Sequence, residues 1–119
     1  MKSFRELQIW RKADELTLTL YGITRNFPRE ELYGLSSQVR RSAASTANIA
    51  EARGRRSDGE MIRFLQIAQG SAAQTEYRVL LARDLKLIGE QEYRSLARQS
   101  DELQRMLTAL MQRFRQSKV

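Results

Sequence analysis

SDGEMIRFLQIAQGSAAQTEYRVLLARDLKLIG, residues 57–89, places apolar or small side chains at Met61, Phe64, Leu65, Ala68, Ser71, Ala72, Thr75, Val79, Ala82 and Leu85. Steps of three and four bring these positions onto one face of an α-helix, where a strand would need strict alternation. Ser57 and Glu60 have the spacing of a capping box, in which hydroxyl and carboxylate each accept a hydrogen bond from the other residue's backbone N–H. Gly89 is the residue type that most readily ends a helix in the left-handed conformation. The pattern therefore predicts a helix over 58–88, about 45 Å long at 1.5 Å per residue. Gly70 inside it costs about 1 kcal/mol relative to alanine, so a close crossing with another helix is expected there.

A helix this long with one apolar face has to be covered, and the flanking sequence offers three more. Leu7, Trp10, Ala13, Leu16, Leu20, Tyr21, Thr24 and Phe27 keep the same periodicity over 6–27, and Pro28 closes that stretch by disfavouring helical geometry before it. A second helix over 36–53 has Ser36 and Ser37 as N-cap candidates. Its inner positions, Val39, Ala43, Ala44, Ala47, Ile49 and Ala50, are mostly small, which lets a neighbouring helix approach closely. The fourth, over 91–115, opens on acidic residues and carries Tyr93, Leu96, Ala97, Ser100, Leu103, Leu107, Leu110, Met111 and Phe114. Short connections make an antiparallel up-down-up-down four-helix bundle the simplest all-α arrangement, with residues 1–119 as one domain. Ile9, Leu18, Ile23 and Met106 fall outside the four stripes and are expected at the surface, open to another subunit or a partner. Helical spacing assigns Trp10 and Tyr21 to core or interface packing.

The 119 residues contain neither Cys nor His. That removes disulfides, thiol nucleophiles, imidazole general bases and the Glu-x-x-His sites of di-metal bundles. No Gly-rich phosphate loop is present, and no apolar run approaches the roughly 20 residues that span a bilayer. The expectations are a cytoplasmic protein that needs no cofactor or metal, is not an enzyme and does not enter a membrane. The 21 Lys and Arg against 14 Asp and Glu give a net charge of +7, which favours polyanionic partners such as RNA or DNA.

The sharpest basic feature is Arg53-Gly54-Arg55-Arg56, at the junction before the long helix, where guanidinium groups can fork onto phosphate oxygens. Arg40, Arg41 and Arg63 extend the candidate nucleic-acid-binding set. Arg40 and Arg41 also have a structural explanation. Beside an Ala-rich, nearly buried helix face they need a partner, and Glu76 is one candidate. Asn48, Glu51, Gly70, Ser71 and Glu76 are assigned to structural or buried polar roles. A hydrolase or nuclease using Glu51 and Glu76 is a third, weaker possibility with no supporting motif.

The chain also resembles a known family. The strings are Phe4-Arg5-Glu6-Leu7-Gln8-Ile9-Trp10-Arg11-Lys12-Ala13, then Phe27-Pro28 with Glu31-Leu32-Tyr33-Gly34-Leu35, and Gln38-Val39-Arg40-Arg41-Ser42-Ala43. Asn48-Ile49-Ala50-Glu51 and Phe64-Leu65-Gln66-Ile67-Ala68-Gln69-Gly70-Ser71, followed by Glu76, complete them. Together they resemble the four-helix-bundle proteins encoded by intervening sequences within bacterial 23S rRNA genes, a family similar to the accessory variability protein of diversity-generating retroelements. The family pattern has Gly after Asn-Ile-Ala-Glu; this chain has Ala52. The resemblance implies a ring-like homopentamer with a basic, nucleic-acid-binding surface and no enzymatic activity. It leaves a second function open, that of a scaffold docking a partner protein such as a reverse transcriptase.

Overall fold

The computed structural model describes residues 4–31, 34–47 and 57–116. They form four α-helices, α1 (Phe4–Thr24), α2 (Leu35–Ala47), α3 (Asp58–Asp84) and α4 (Glu90–Gln116), with a 3₁₀ turn at Arg29–Glu31. No strand occurs among the described residues. Helix α3 packs on α2 and α4, and α1 packs on the same two, so the helices enclose one core in a bundle measuring 50 × 23 × 19 Å.

That core follows the helical stripes. Ile9, Ala13, Leu16 and Leu20 enter it from α1, Leu35, Val39 and Ala43 from α2, and Leu65, Ala68, Ala72, Val79 and Ala82 from α3. The contribution of α4 is the most regular: Leu96, Leu103, Leu107, Leu110 and Met111. Small residues on α2 and α3 allow side chains of one helix to reach the backbone of the next. Thr17 Oγ1 lies 2.8 Å from the Ala13 carbonyl in its own helix and 3.0 Å from the Ala43 carbonyl in α2, one proton serving two acceptors. Between α2 and α3, Thr75 Oγ1 stands 2.9 Å from both Ser42 Oγ and the Ser71 carbonyl. The Thr75 and Ser42 hydroxyls are buried, and their hydrogen bonds offset the cost of removing them from water.

The capping box at Ser57 and Glu60 is formed: Ser57 Oγ accepts from the Glu60 N–H, and Glu60 Oε1 accepts from the Ser57 N–H, both at 3.2 Å. The other end of α3 differs from the sequence expectation. The helix stops at Asp84, and Lys86, not a glycine, takes the left-handed conformation, with φ 64°. The Lys86 N–H donates to the Arg83 carbonyl and the Leu87 N–H to the Ala82 carbonyl, each at 2.9 Å, the paired bonds of a Schellman motif. Gly89 instead starts α4, its carbonyl accepting from the Tyr93 N–H and its own N–H donating to Glu92 Oε1 at 3.0 Å.

Four other expectations are corrected. Ser36 is buried rather than capping α2; the Gly34 carbonyl accepts the first helical bond, from the Gln38 N–H. Ile9 is buried, 2% exposed, because the α1 stripe runs through Ile9, Ala13, Leu16 and Leu20 and leaves Trp10 at its half-exposed edge. Gly70 makes no close crossing among the described residues, since a Cβ there would meet nothing of them within 4 Å. Glu76 is exposed: one residue beyond the inward Thr75, it is turned about 100° away from α2.

Candidate nucleic-acid interface

Of the basic residues assigned from sequence, Arg53, Arg55 and Arg56 lie outside the described residues, as do Asn48 and Glu51. Arg40, Arg41 and Arg63 lie within them and sit in three different environments. Arg40, in the second turn of α2 and facing α1, donates from Nε to Thr24 Oγ1 at 2.7 Å, and its guanidinium carbon lies 5.0 Å from the centre of the Tyr21 ring. Helix α1 has no basic residue in its own last turn. The Arg40 cation therefore supplies, from the next helix, the positive charge that the carbonyl end of α1 favours. Tyr21 in turn is held at the surface, 38% exposed, beneath that cation rather than in the core.

Arg41 points to the other side of α2. Its Nη2 donates to Ser37 Oγ at 3.2 Å, one turn back on the same helix. It lines a groove of about 330 Å³ between α2 and α3, with Gln38, Ser42, Ser71, Gln74 and Arg78. Arg78, which sequence patterning did not single out, reaches across to donate from Nη1 to the Gln38 carbonyl at 3.1 Å. Neither Arg40 nor Arg41 pairs with Glu76. Arg63 is exposed on the first part of α3, where it shares a second groove with Glu60, Phe64 and Ile67.

The remaining cations divide by whether a carboxylate neutralises them. Lys12 Nζ meets Glu102 Oε1 at 2.6 Å across α1 and α4, and this hydrogen bond, followed by the carboxylate's charge, raises the lysine pKa above its ordinary value. Arg83 pairs with Asp84 at 3.1 Å and lies over the Tyr93 ring, 4.4 Å from its centre. Arg94 and Arg105 pair one turn back with Glu90 and Asp101, at 3.3 and 2.9 Å. Arg41, Arg63 and Arg78 make no ion pair among the described residues, and neither do Arg11, Arg25, Arg29, Arg98, Arg113 and Arg115. The chemistry available at this surface is therefore that of unneutralised guanidinium groups, able to donate to anionic oxygens.

Ser71 is buried, while Gly70 and Glu76 are exposed. Among the described residues no group of three His, Cys, Asp or Glu side chains is placed to hold a metal ion, and no helix is long and apolar enough to cross a membrane.

The family model for the 23S rRNA-intervening sequence protein matches residues 5–109. The chain belongs to that family. Among solved structures it is similar to a protein of unknown function from the S23 ribosomal protein family of Bacteroides thetaiotaomicron VPI-5482, 22% identical, with a TM-score of 0.79 over 92% of this chain and 99% of the other. At that identity the likeness carries the fold. No curated protein matches the chain. Residues 5–109 take in all of α2 and α3 and both arginines of the groove between them, so this groove lies inside the region matched to the family.

Proposed function

We propose that this 23S rRNA-intervening sequence protein is a non-enzymatic, nucleic-acid-binding subunit of a ring-like homo-oligomer, a pentamer by family resemblance. It is an antiparallel up-down-up-down bundle that works in the cytoplasm. The observation that carries the proposal is that most arginines among the described residues, Arg41, Arg63 and Arg78 included, make no ion pair there, on a chain of net charge +7. Phosphate contacts of this kind give affinity with little sequence preference and release counterions, so binding falls steeply with salt.

Fluorescence anisotropy with single-stranded RNA and duplex DNA, between about 50 and 200 mM salt, tests this. The expected result is binding that weakens at least tenfold over that range and that Arg53→Glu with Arg55→Glu weakens further. No binding at the lowest salt rejects it.

A second function is favoured by a different observation. Leu18, Ile67, Tyr77 and Leu85 are large apolar side chains more than half exposed. They supply contacts for assembly and, beyond that, for docking a partner protein such as the reverse transcriptase of a retroelement. Purification from the native cell separates the two: recovered RNA supports the first, and a nuclease-resistant protein complex the second.

A further inference from the structure

The groove between α2 and α3 differs in composition from the grooves beside Lys12, Arg63 and Gln69. Arg41 and Arg78 stand on its two walls, Gln38 and Gln74 add amides, and the hydroxyls of Ser42 and Ser71 lie at its buried base. Among the described residues no carboxylate lines it, and the described part of α2 contains none. By contrast, the grooves beside Lys12 and beside Arg63 each contain acidic residues, Glu15 and Glu102 in one and Glu60 in the other. The groove beside Gln69 and Thr108 has only Arg105, which is already paired with Asp101.

Both guanidinium groups are partly fixed before any ligand arrives. Arg78 spends one N–H on the Gln38 carbonyl and Arg41 one on Ser37 Oγ, and each guanidinium has five N–H donors in a planar fork. Anchoring of this kind lowers the entropy lost when the remaining donors close on an anion. The size of the groove, about 330 Å³, suits a hydrated tetrahedral oxyanion. Among the described residues no aromatic or aliphatic side chain lines it, so these walls lack the apolar anchor on which an acidic protein surface would depend for affinity.

We infer that the α2–α3 groove is a phosphate subsite in which Arg41 and Arg78 together hold one phosphodiester of a bound nucleic-acid backbone. This rests on the nucleic-acid-binding function proposed above and assigns it a place.

Two measurements on the full-length chain test it. The first compares RNA affinity of the wild type, Arg41→Gln/Arg78→Gln and, as a control that removes the same charge at the end of α4, Arg113→Gln/Arg115→Gln, with fold and assembly checked by circular dichroism and sedimentation. The groove variant is expected to bind about tenfold more weakly at low salt, with a log–log salt slope lower by about 0.7, the contribution of one single-strand phosphate. The control is expected to lose less than half of that on a logarithmic scale, and Arg41→Lys/Arg78→Lys to restore the slope but not the full affinity. Equal losses in the groove variant and the control overturn the assignment while leaving nucleic-acid binding standing. The second follows the arginine Nε–Hε NMR resonances during titration with inorganic phosphate at constant ionic strength. Shifts confined to Arg41 and Arg78 support the subsite even where RNA fails to bind, an outcome that would reject only the nucleic-acid function. Unmoved resonances overturn the subsite.

Discussion

Adjacent in sequence, Arg40 and Arg41 have opposite tasks. One residue along a helix is a rotation of about 100°, enough to carry Arg40 onto the end of α1 and Arg41 into the α2–α3 groove. Arg40→Met keeps the aliphatic stem but removes the charged hydrogen bond to Thr24 and the contact with Tyr21, and is expected to destabilise the fold by about 2 kcal/mol in urea unfolding. The salt slope of RNA binding should stay at the wild-type value in the same variant. A variant that keeps full stability but loses slope would move Arg40 into the binding set. Lys86 makes a second residue-scale case. A lysine at φ 64° gives up about 1 kcal/mol that glycine does not, part of it returned by the greater freedom of glycine in the unfolded chain. Lys86→Gly should therefore raise the midpoint of thermal unfolding by a few degrees, a gain of about 0.5–1 kcal/mol.

At the scale of elements, what could be read from sequence depended on how far apart the deciding atoms lie. The start of α3 was legible because both halves of its capping box sit within four residues, and Ser57→Ala is expected to cost about 1 kcal/mol in chemical unfolding. Its end was not, because the choice between Lys86 and Gly89 turns on Leu87. That side chain packs against the core next to Ile88 once the chain has turned. The small residues of α2 correctly announced a close neighbour, yet the groove beside it stayed hidden: Arg78 meets the Gln38 carbonyl across forty positions of sequence, and periodicity carries no information at that range. Between α1 and α4, the Lys12–Glu102 pair is half exposed and so contributes little, in a definite pH window. Because the folded-state pKa of Lys12 is raised, its contribution is complete below the ordinary lysine pKa and disappears as the pH climbs through the raised value. Wild type and Lys12→Gln should accordingly show a small difference in melting temperature, constant from neutral pH upward, that closes only in strongly alkaline buffer and also closes in 1 M salt.

For the molecule as a whole, the informative surface is the outer face of α3. Ile67, Gly70, Gln74 and Tyr77 recur at steps of three, four and three and are all exposed, so they form one continuous stripe along the helix. Ile67 is 54% and Tyr77 63% exposed, while Gly70 between them leaves open space where a Cβ would stand. Among the described residues nothing packs closely against this glycine, and it weakens a helix interior. A second copy of the chain lying against the stripe would supply a packing reason for it, since a glycine between two apolar side chains lets another helix approach closely. Ile67→Asp with Tyr77→Asp should then abolish the proposed assembly, leaving monomers by analytical ultracentrifugation, with helical content unchanged because both side chains are exposed. Gly70→Ala separates assembly from stability in a single substitution. If α3 faces solvent in the assembled protein, alanine raises stability by about 1 kcal/mol and leaves the sedimentation coefficient alone. If α3 faces a neighbour, the added methyl group weakens the assembly, and dissociation at low micromolar concentration is the expected result.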